Sequence, residues 1–422
     1  MVDHLLGDPP GAGTSRLEVL KRIAILGAGP TGLEAALAAL EAGYPFTVYE
    51  ASPSAAGHIR DWGHVRLFTP WSLNVSPRMA RALEQAGSQV PEGDGCPTGS
   101  ELVERLLQPI SSLPPLAEHI RYGVRVDGIG RAGFLKSDEI GTGRRADRPF
   151  RILLGSESRG SWVEEADIVM DCTGNSVPNA LGDGGIPAPG EAEASKWIFC
   201  RIPDLELDGD AWADQRVLVV GDGHSATTAV SGLVDLATRS PGTEIVWTPH
   251  GDVPALDPAD PLLERARLMQ SAHDLATDPP QCLTIRLGAV VDSLVAPETE
   301  GAPLEVRLRH EDGRIECVHV HRVLALTGKV GDHQLYRQLQ VHECWATSGP
   351  MKLAGALLAQ SGSGADCLDQ KSLGAETLAH PEPGFFILGV KSYGRRSDFL
   401  MRVGWEQIED VFGLLASPTA PR

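Results

Sequence analysis

A glycine-rich turn between a short apolar strand and a helix is the sequence feature that most restricts the fold of this chain. Residues 22–50 read RIAILGAGPTGLEAALAALEAGYPFTVYE. Residues 23–26 are apolar, as in a parallel strand buried on both faces, and residues 33–40 are rich in alanine and leucine, which favour helix. Gly43 then provides a helix stop before a second strand. The segment therefore predicts a strand-helix-strand unit.

The turn has the spacing that binds a pyrophosphate. Gly27, Gly29 and Gly32 form the pattern G-x-G-x-x-G. The first glycine permits the tight turn, the second lets the backbone approach the phosphates, and the third lets the helix pack against the strand. Unpaired N–H groups at the helix N-terminus stabilise the negative charge. We predict that these glycines, with Pro30 and Thr31 between them, bind a dinucleotide.

An acidic residue closes the second strand of this unit. Glu50 stands where a carboxylate accepts hydrogen bonds from both hydroxyls of the adenosine ribose. The same carboxylate repels a 2′-phosphate. Because FAD has free ribose hydroxyls, Glu50 predicts FAD as the ligand of the first turn.

A second turn of the same kind follows nearly 200 residues later. Residues 216–229 read RVLVVGDGHSATTA, an apolar strand followed by small residues that start a helix. The strand at residues 244–248 ends without an acidic residue, and His250 stands where a 2′-phosphate reader would be. NADPH is therefore permitted, and NADH stays open. The predicted binding residues here are Gly221, Gly223, His224, Ser225, Ala226 and His250.

Two such units predict an α/β protein with two Rossmann-type three-layer domains, one for FAD and one for its reductant. Composition excludes other classes. A formal net charge of −19 repels nucleic acid and anionic lipid, and no apolar run is long enough to span a membrane. The N-terminal sequence lacks signal-peptide features, so a cytoplasmic location is expected. The seven cysteines are dispersed without a C-x-x-C pair, which predicts neither a metal site nor a redox dithiol.

Over residues 21–415 the sequence resembles the two-dinucleotide-binding flavoproteins, which include flavin-containing monooxygenases, N-hydroxylating monooxygenases and thioredoxin-reductase-like enzymes. Besides the two turns, the resemblance rests on DIVMDCTGN at residues 167–175, VLALTG at 323–328 and GFFILGV at 384–390. It implies that Val126, Thr173, Gly174 and Gly389 contact FAD.

The resemblance also implies a domain order. FAD-domain residues come from both ends of the chain, 21–208 and 329–422, and the NAD(P) domain, 209–328, is inserted between them. Residues 1–20 are expected to form a flexible arm.

Candidate catalytic residues come from two segments. Asn74 falls where flavin-containing monooxygenases place an asparagine near the reactive flavin edge. The loop before the last helix carries Lys391, Tyr393 and Arg395, which are candidates for contacts to substrate or flavin, because in the resembled fold this loop borders the reaction site. Ser397 or Asp398 is the expected N-cap of that last helix.

These features predict a FAD-dependent, NAD(P)H-reduced monooxygenase that uses dioxygen to oxidise a small organic substrate. The monooxygenase fingerprint F-x-G-x-x-x-H is absent before the second turn, where residues 198–212 read IFCRIPDLELDGDAW. Two alternatives stay open: an NAD(P)H-dependent reductase or oxidase that inserts no oxygen, and a flavin-bearing redox sensor or binding module. A homo-oligomer is also left open.

Overall fold

The computed structural model of the chain describes residues 20–251, 256, 260–299, 301–360, 368 and 370–417. The predicted N-terminal arm lies outside these residues except for its last residue, Leu20. The described chain is an α/β structure built on two five-stranded parallel sheets, which confirms the predicted fold class.

The first sheet alternates its side chains between two packing layers. Ile23 and Ile25 of its central strand point into a core shared with helices, whereas Ala24 and Leu26 point into a core on the opposite face. Both faces are buried, as the continuous apolar run predicts. In spatial order the strands are Phe385–Ile387, Ile168–Asp171, Ile23–Leu26, Phe46–Glu50 and Ile120–Tyr122.

Helices cover one face of the first sheet and a small antiparallel sheet covers the other, which makes the unit three layers thick. The helix Pro30–Glu41 lies centrally on the helical face and packs against Pro77–Gln85, Pro114–Ala117 and Met401–Ala416. The antiparallel strands are Arg125–Arg131, Phe150–Ser156 and Gly160–Ala166.

The second parallel sheet repeats this arrangement and is inserted in the chain before the last strand of the first sheet. Its helical layer centres on His224–Arg239, and its antiparallel layer comprises Val290–Val295, Leu304–Arg309 and Ile315–Val320. The parallel strands, in spatial order, are Leu283–Ile285, Glu244–Thr248, Arg216–Val220, Arg322–Ala325 and Ile198–Phe199.

The chain passes between the two sheets through a two-stranded connector, in which Asn175–Pro178 pairs antiparallel with Lys329–Gly331. The strand Ile198–Phe199 pairs with Arg322–Ala325, so the second sheet already begins upstream of residue 209. Leu181, Ala188 and Ala194 also pack into the core of the second sheet. The sequence predicts that these residues belong to the first part of the FAD domain, 21–208. Their packing against the second sheet instead favours a domain boundary at the connector.

Short elements complete the described fold. A second two-stranded pair joins Glu343–Cys344 to Gly349–Pro350. Other helices are Gly57–Arg60, Trp71–Asn74, Gly99–Leu102, Gln108–Ser111, Gly209–Trp212, Leu263–Thr277, Met351–Gln360 and Ala375–Leu378, with a π-helical turn at Val103–Leu107. The 3-10 turns are Gly143–Asp147, Asp183–Gly185, Ser195–Trp197, Gln334–Tyr336 and Gly389–Tyr393. Across the part of the chain that the structure describes, no helix combines the length and apolarity needed to cross a membrane.

A buried ionic triad joins the antiparallel layer to the last strand of the first sheet. Glu382 is fully buried and accepts hydrogen bonds from Arg131 Nε at 2.8 Å and Arg145 Nη2 at 2.8 Å. The backbone N–H of Gln340 donates to the same carboxylate at 2.9 Å. Burial lowers the pKa of Arg131, although Glu382 opposes this effect. The carboxylate thus neutralises two guanidinium groups that have little access to water.

We predict that Glu382→Gln lowers the free energy of unfolding by about 3 to 5 kcal/mol, because it leaves buried guanidinium charge without a counter-ion. Urea unfolding followed by circular dichroism measures the change. Glu118→Gln is the matched control, since the Glu118 side chain is 73% exposed, and we expect a change within about 0.5 kcal/mol for it. Equal effects of the two substitutions would contradict the role of the triad.

Candidate functional site

A cavity of about 780 Å³ opens at the edge of the first sheet where its parallel strands end. Gly27, Glu50, Thr173 and Gly389 line it, and each lies at or just after the end of a different strand. The strand Ile23–Leu26 has its next strand on one side and Ile168–Asp171 on the other. Ligands of open α/β sheets bind at such a reversal of strand order.

The three glycines of the first turn have three distinct steric roles. Gly27 has φ +91°, and a Cβ there would lie 2.9 Å from the carbonyl oxygen of Cys172. A Cβ on Gly32 would lie 1.9 Å from the carbonyl oxygen of Gly27, so the helix meets the strand too closely for any side chain. By contrast, a Cβ on Gly29 would meet no described protein atom within 4 Å. Because Gly29 lines the cavity, that space is available to a ligand.

Glu50 is fixed by the backbone on either side of it. Its Oε2 accepts a hydrogen bond from Ala28 N at 2.7 Å, and its Oε1 accepts one from Ser52 N at 2.9 Å. Glu50 is buried, with 8% of its surface exposed, and it lines the cavity. Since a carboxylate has about four acceptor sites, lone pairs remain for ligand hydroxyls.

The turn after the strand Phe385–Ile387 contacts two helices that begin at the cavity. Gly389 has φ +69°, and a Cβ there would lie 2.6 Å from Thr31 Oγ1. Its N–H donates to Gln407 Oε1 at 2.8 Å. The helix Met401–Ala416 carries Gln407 and begins at the cavity wall, where Leu400 and Met401 lie.

The predicted N-cap of this last helix is wrong. Leu400 is the N-cap and makes no side-chain cap hydrogen bond. Asp398 instead pairs with Arg396 at 2.5 Å and accepts a hydrogen bond from Gln370 at 3.1 Å. The helix N-terminus is therefore free of a side-chain cap.

The start of the second glycine-rich turn's helix lines the same cavity. His224 and Ser225 are among the lining residues, and the His224 ring contacts the Phe68 ring in a tilted arrangement, with centroids 5.0 Å apart. Burial, with a smaller contribution from Arg265, lowers the pKa of His224. Arg265 also lines the cavity, and its Nε lies 2.7 Å from Asp260 Oδ2. Both parallel sheets thus contribute to one site.

Three long helices begin at this cavity without side-chain caps. They are Pro30–Glu41, His224–Arg239 and Met401–Ala416, with Gly29, Gly223 and Leu400 as N-caps. The first N–H groups of a helix lack intrahelical partners, and the helix dipole adds a partial positive charge. The cavity therefore favours ligands that carry several negative charges.

The structure brings most predicted cofactor-binding residues together. Those that line the cavity are Gly27, Gly29, Pro30, Thr31, Glu50, Val126, Thr173, Gly174, Gly389, His224 and Ser225. Gly32, Gly221, Gly223 and Ala226 shape the two turns behind the lining. His250 is exposed beyond the end of the strand Glu244–Thr248.

Two of the candidate catalytic residues lie behind the cavity wall. Asn74 is buried, and it exchanges hydrogen bonds with Thr69, whose hydroxyl donates at 2.7 Å and whose carbonyl accepts at 2.8 Å. Lys391 is also buried, and its Nζ donates to Asp171 at 2.6 Å, to the carbonyl of Asp332 at 2.8 Å and to Thr173 Oγ1 at 3.2 Å. These donors are engaged within the protein, so both residues support the wall.

The other two candidates are placed differently. Tyr393 is buried against Phe399, with ring centroids 5.1 Å apart, and burial raises the pKa of its phenol to about 12. Arg395 lies farther out, where its guanidinium donates to Asn179 Oδ1 at 3.2 Å.

Some lining residues were not singled out from the sequence. Trp62, Leu67, Leu262 and Met401 contribute apolar surface to the cavity. They lie in loops and at helix ends, where the sequence shows no periodic pattern of apolar residues. Their position depends on how the two sheets pack together. No local sequence signal was available to find them.

Comparison with known proteins identifies the fold. The chain matches no protein-family model and no curated protein sequence. It is similar to the bacillithiol disulfide reductase Bdr (YpdA) from Bacillus cereus, with a TM-score of 0.65, 16% identity, and coverage of 94% of this chain and 98% of that one. It is also similar to T. acidophilum thioredoxin reductase, with a TM-score of 0.56, 15% identity, and coverage of 95% of this chain and 100% of that one. A third similar structure is an ornithine N-hydroxylase from Kutzneria sp. 744, solved with reduced FAD, NADP+ and L-ornithine. Its TM-score is 0.61 at 14% identity, with coverage of 93% of this chain and 98% of that one.

These similarities extend over nearly the whole of each chain. They confirm, at the level of fold, the resemblance to the two-dinucleotide-binding flavoproteins that the sequence motifs indicated. Reductases and hydroxylases both occur among the neighbours, so the fold by itself does not select a reaction.

The different surroundings of Gly29 and Gly32 generate a prediction. Gly29→Ala adds a methyl group in open cavity space at an ordinary φ of −82°. We expect it to preserve the fold and to weaken dinucleotide binding by about 5- to 100-fold, the equivalent of overpacking by about 1 to 3 kcal/mol. Flavin fluorescence titration measures the affinity, and circular dichroism checks the fold.

Gly32→Ala is the contrasting variant, because its Cβ would collide with the Gly27 carbonyl. We expect it to lower thermal stability even without ligand. If Gly29→Ala bound flavin as well as the unmodified protein, the assignment of this turn to the phosphates would be wrong.

Proposed function

We propose that this chain is a FAD-dependent oxidoreductase reduced by a nicotinamide dinucleotide. The observation that carries the proposal is the single cavity, which both glycine-rich turns reach and at which three uncapped helices begin. A pair of dinucleotides, each with a pyrophosphate, matches that distribution of positive potential.

The residues of the first turn fit FAD. The space in front of Gly29 accepts a pyrophosphate beside the N-terminus of the helix Pro30–Glu41. Glu50 offers its remaining lone pairs to the ribose hydroxyls. Thr173, Gly174 and Gly389 line the cavity farther along the strand ends. The uncapped N-terminus of Met401–Ala416 stabilises the negative charge of a reduced flavin.

The second turn is proposed to hold the nicotinamide dinucleotide. Its helix starts at His224 and Ser225 on the opposite wall of the cavity. Phe68 and His224, whose ring centroids are 5.0 Å apart, bring the walls contributed by the two sheets together. The apolar side chains of Trp62, Leu67 and Phe68 limit the access of water.

We propose oxygen insertion into a small organic substrate as the reaction. When bound, FAD accepts two electrons as hydride from the nicotinamide and delivers them to dioxygen, with one oxygen atom passing to the substrate and the other to water. The protein's own contribution is orientation, charge stabilisation and exclusion of water.

Thiol chemistry supports the choice of a monooxygenase over a disulfide reductase. Disulfide oxidoreductases commonly use a C-x-x-C pair, and the sequence contains none. Among the described cavity-lining residues, Cys172 has the one thiol, and burial raises its pKa well above the ordinary value. A thiol that stays protonated is a poor nucleophile.

Glu50→Gln tests the FAD site. The amide replaces one acceptor by a donor and removes the charge, so we expect FAD affinity to fall by about 10- to 100-fold, the value of a hydrogen bond to a charged group. Equilibrium titration of the flavin-free protein with FAD gives the affinity. Glu165→Gln, on an exposed strand, is the control and should leave the affinity unchanged. If the unmodified protein, Glu50→Gln and Glu165→Gln bound FAD with equal affinity, Glu50 would not be part of the FAD site.

Anaerobic mixing tests the reaction. We expect the FAD-loaded protein to be yellow and to be bleached by NADH or NADPH, and dioxygen then to restore the colour. With the correct substrate present, oxygen uptake should match hydroxylated or oxygenated product. Oxygen uptake matched to peroxide instead would support the reductase or oxidase alternative, and a yellow protein that neither nucleotide bleaches would support a redox sensor or binding module.

A further inference from the structure

The two glycine-rich turns can be aligned atom by atom through their backbone bonds. In the first, Gly27 N donates to Tyr49 O at 2.8 Å, and in the second, Gly221 N donates to Thr248 O at 3.2 Å. The N-caps Gly29 and Gly223 have nearly the same angles, φ −82° and ψ −173° against φ −79° and ψ 173°. This alignment equates Ala28 with Asp222, Glu50 with Pro249, and Ser52 with Gly251.

In the first turn, the ribose-reading carboxylate lies between two of these positions. Glu50 reaches from the strand end and is held by the backbone N–H groups of Ala28 and Ser52. The carboxylate therefore occupies the gap between the turn and the loop that follows the second strand.

In the second turn, a carboxylate enters the same gap from the opposite side. Pro249 stands in place of Glu50 and has no carboxylate. Asp222, at the position of Ala28, extends towards Gly251, and its Oδ2 lies 4.0 Å from the point where a Cβ of Gly251 would be. A carboxylate therefore lies at this gap in both turns, although it comes from a different position in each turn.

The guanidinium of Arg309 is already engaged by carboxylates. His250, the residue that the sequence offers as a 2′-phosphate reader, contributes less than Arg309 to lowering the pKa of Asp183. Arg309 donates to Asp183 at 2.6 Å and lies 3.3 Å from Asp292, and this pairing lowers the pKa of Asp183. The Arg309 guanidinium is therefore paired with two carboxylates.

We propose that Asp222 is the specificity-determining residue of the second site, that it binds the adenosine ribose hydroxyls, and that the reductant is NADH rather than NADPH. This inference rests on the proposed function, because it assumes a nicotinamide dinucleotide at the second turn. It selects NADH from the two nucleotides that the sequence leaves open.

Binding of oxidised nucleotides to the FAD-loaded protein tests the inference without turnover. Titration calorimetry with NAD+ and NADP+ should show NAD+ binding at least about tenfold tighter. Asp222→Ala should lower NAD+ affinity by about 10- to 100-fold and leave NADP+ affinity equal or higher, so that the preference disappears. Asp222→Asn should lose most of the preference too, since it keeps the size and removes the charge.

Asp235→Asn is the matched control, because Asp235 is an exposed carboxylate on the helix that follows the turn, far from its N-terminus. It should change neither affinity. Tighter binding of NADP+ by the unmodified protein, or equal effects of Asp222→Ala and Asp235→Asn, would overturn the inference while leaving the proposed function intact. Absence of binding by either nucleotide would overturn both. An Asp222-dependent preference for NAD+ without flavin reduction by NADH would support the inference and contradict the proposed function.

Discussion

The close approach of a helix N-terminus to the end of a parallel strand is the constraint on which the rest of this structure depends. At the first turn the helix lies so near the strand that a Cβ on Gly32 would be 1.9 Å from the carbonyl oxygen of Gly27. In the second turn Ala226 takes the place of Gly32, and its Cβ would lie 3.5 Å from a Cβ on Gly221. The close approach directs unpaired N–H groups at the cavity, and the anion-binding character of the site follows from it.

A second requirement is that distant chain segments meet at the cavity wall. The buried pair of Lys391 and Asp171 holds these segments together, because Lys391 also donates hydrogen bonds to Thr173 and Asp332. One ammonium group thereby links the turn after the strand Ile168–Asp171, the segment after the domain connector and the last glycine turn. A buried ion pair adds little net stability, and its best-attested benefit is a unique arrangement. Here that arrangement holds three walls of one site.

The sequence predicted what local patterns encode. Apolar runs and glycine spacing identified the central strands, both turns and Glu50, because each is fixed within about 30 residues of chain. The charged loop before the last helix was interpreted as a set of ligand contacts, yet Lys391 is buried. Lysine is rarely buried unless it is paired, and its partner Asp171 lies 220 residues away. Neither Asn74 nor Tyr393 offered a local signal for the packing that buries it.

The second turn illustrates why a motif search and a spatial comparison give different answers. The search for a ribose-binding carboxylate inspects the end of the second strand, where this chain has Pro249. Asp222 stands inside the turn, at a position that the motif leaves unrestricted. Only the backbone alignment with the first turn reveals that the side chains of Glu50 and Asp222 enter the same gap from opposite sides. Because recognition depends on where a charge lies rather than on which residue supplies it, we infer that the two turns present a carboxylate at the same gap from different positions in the sequence.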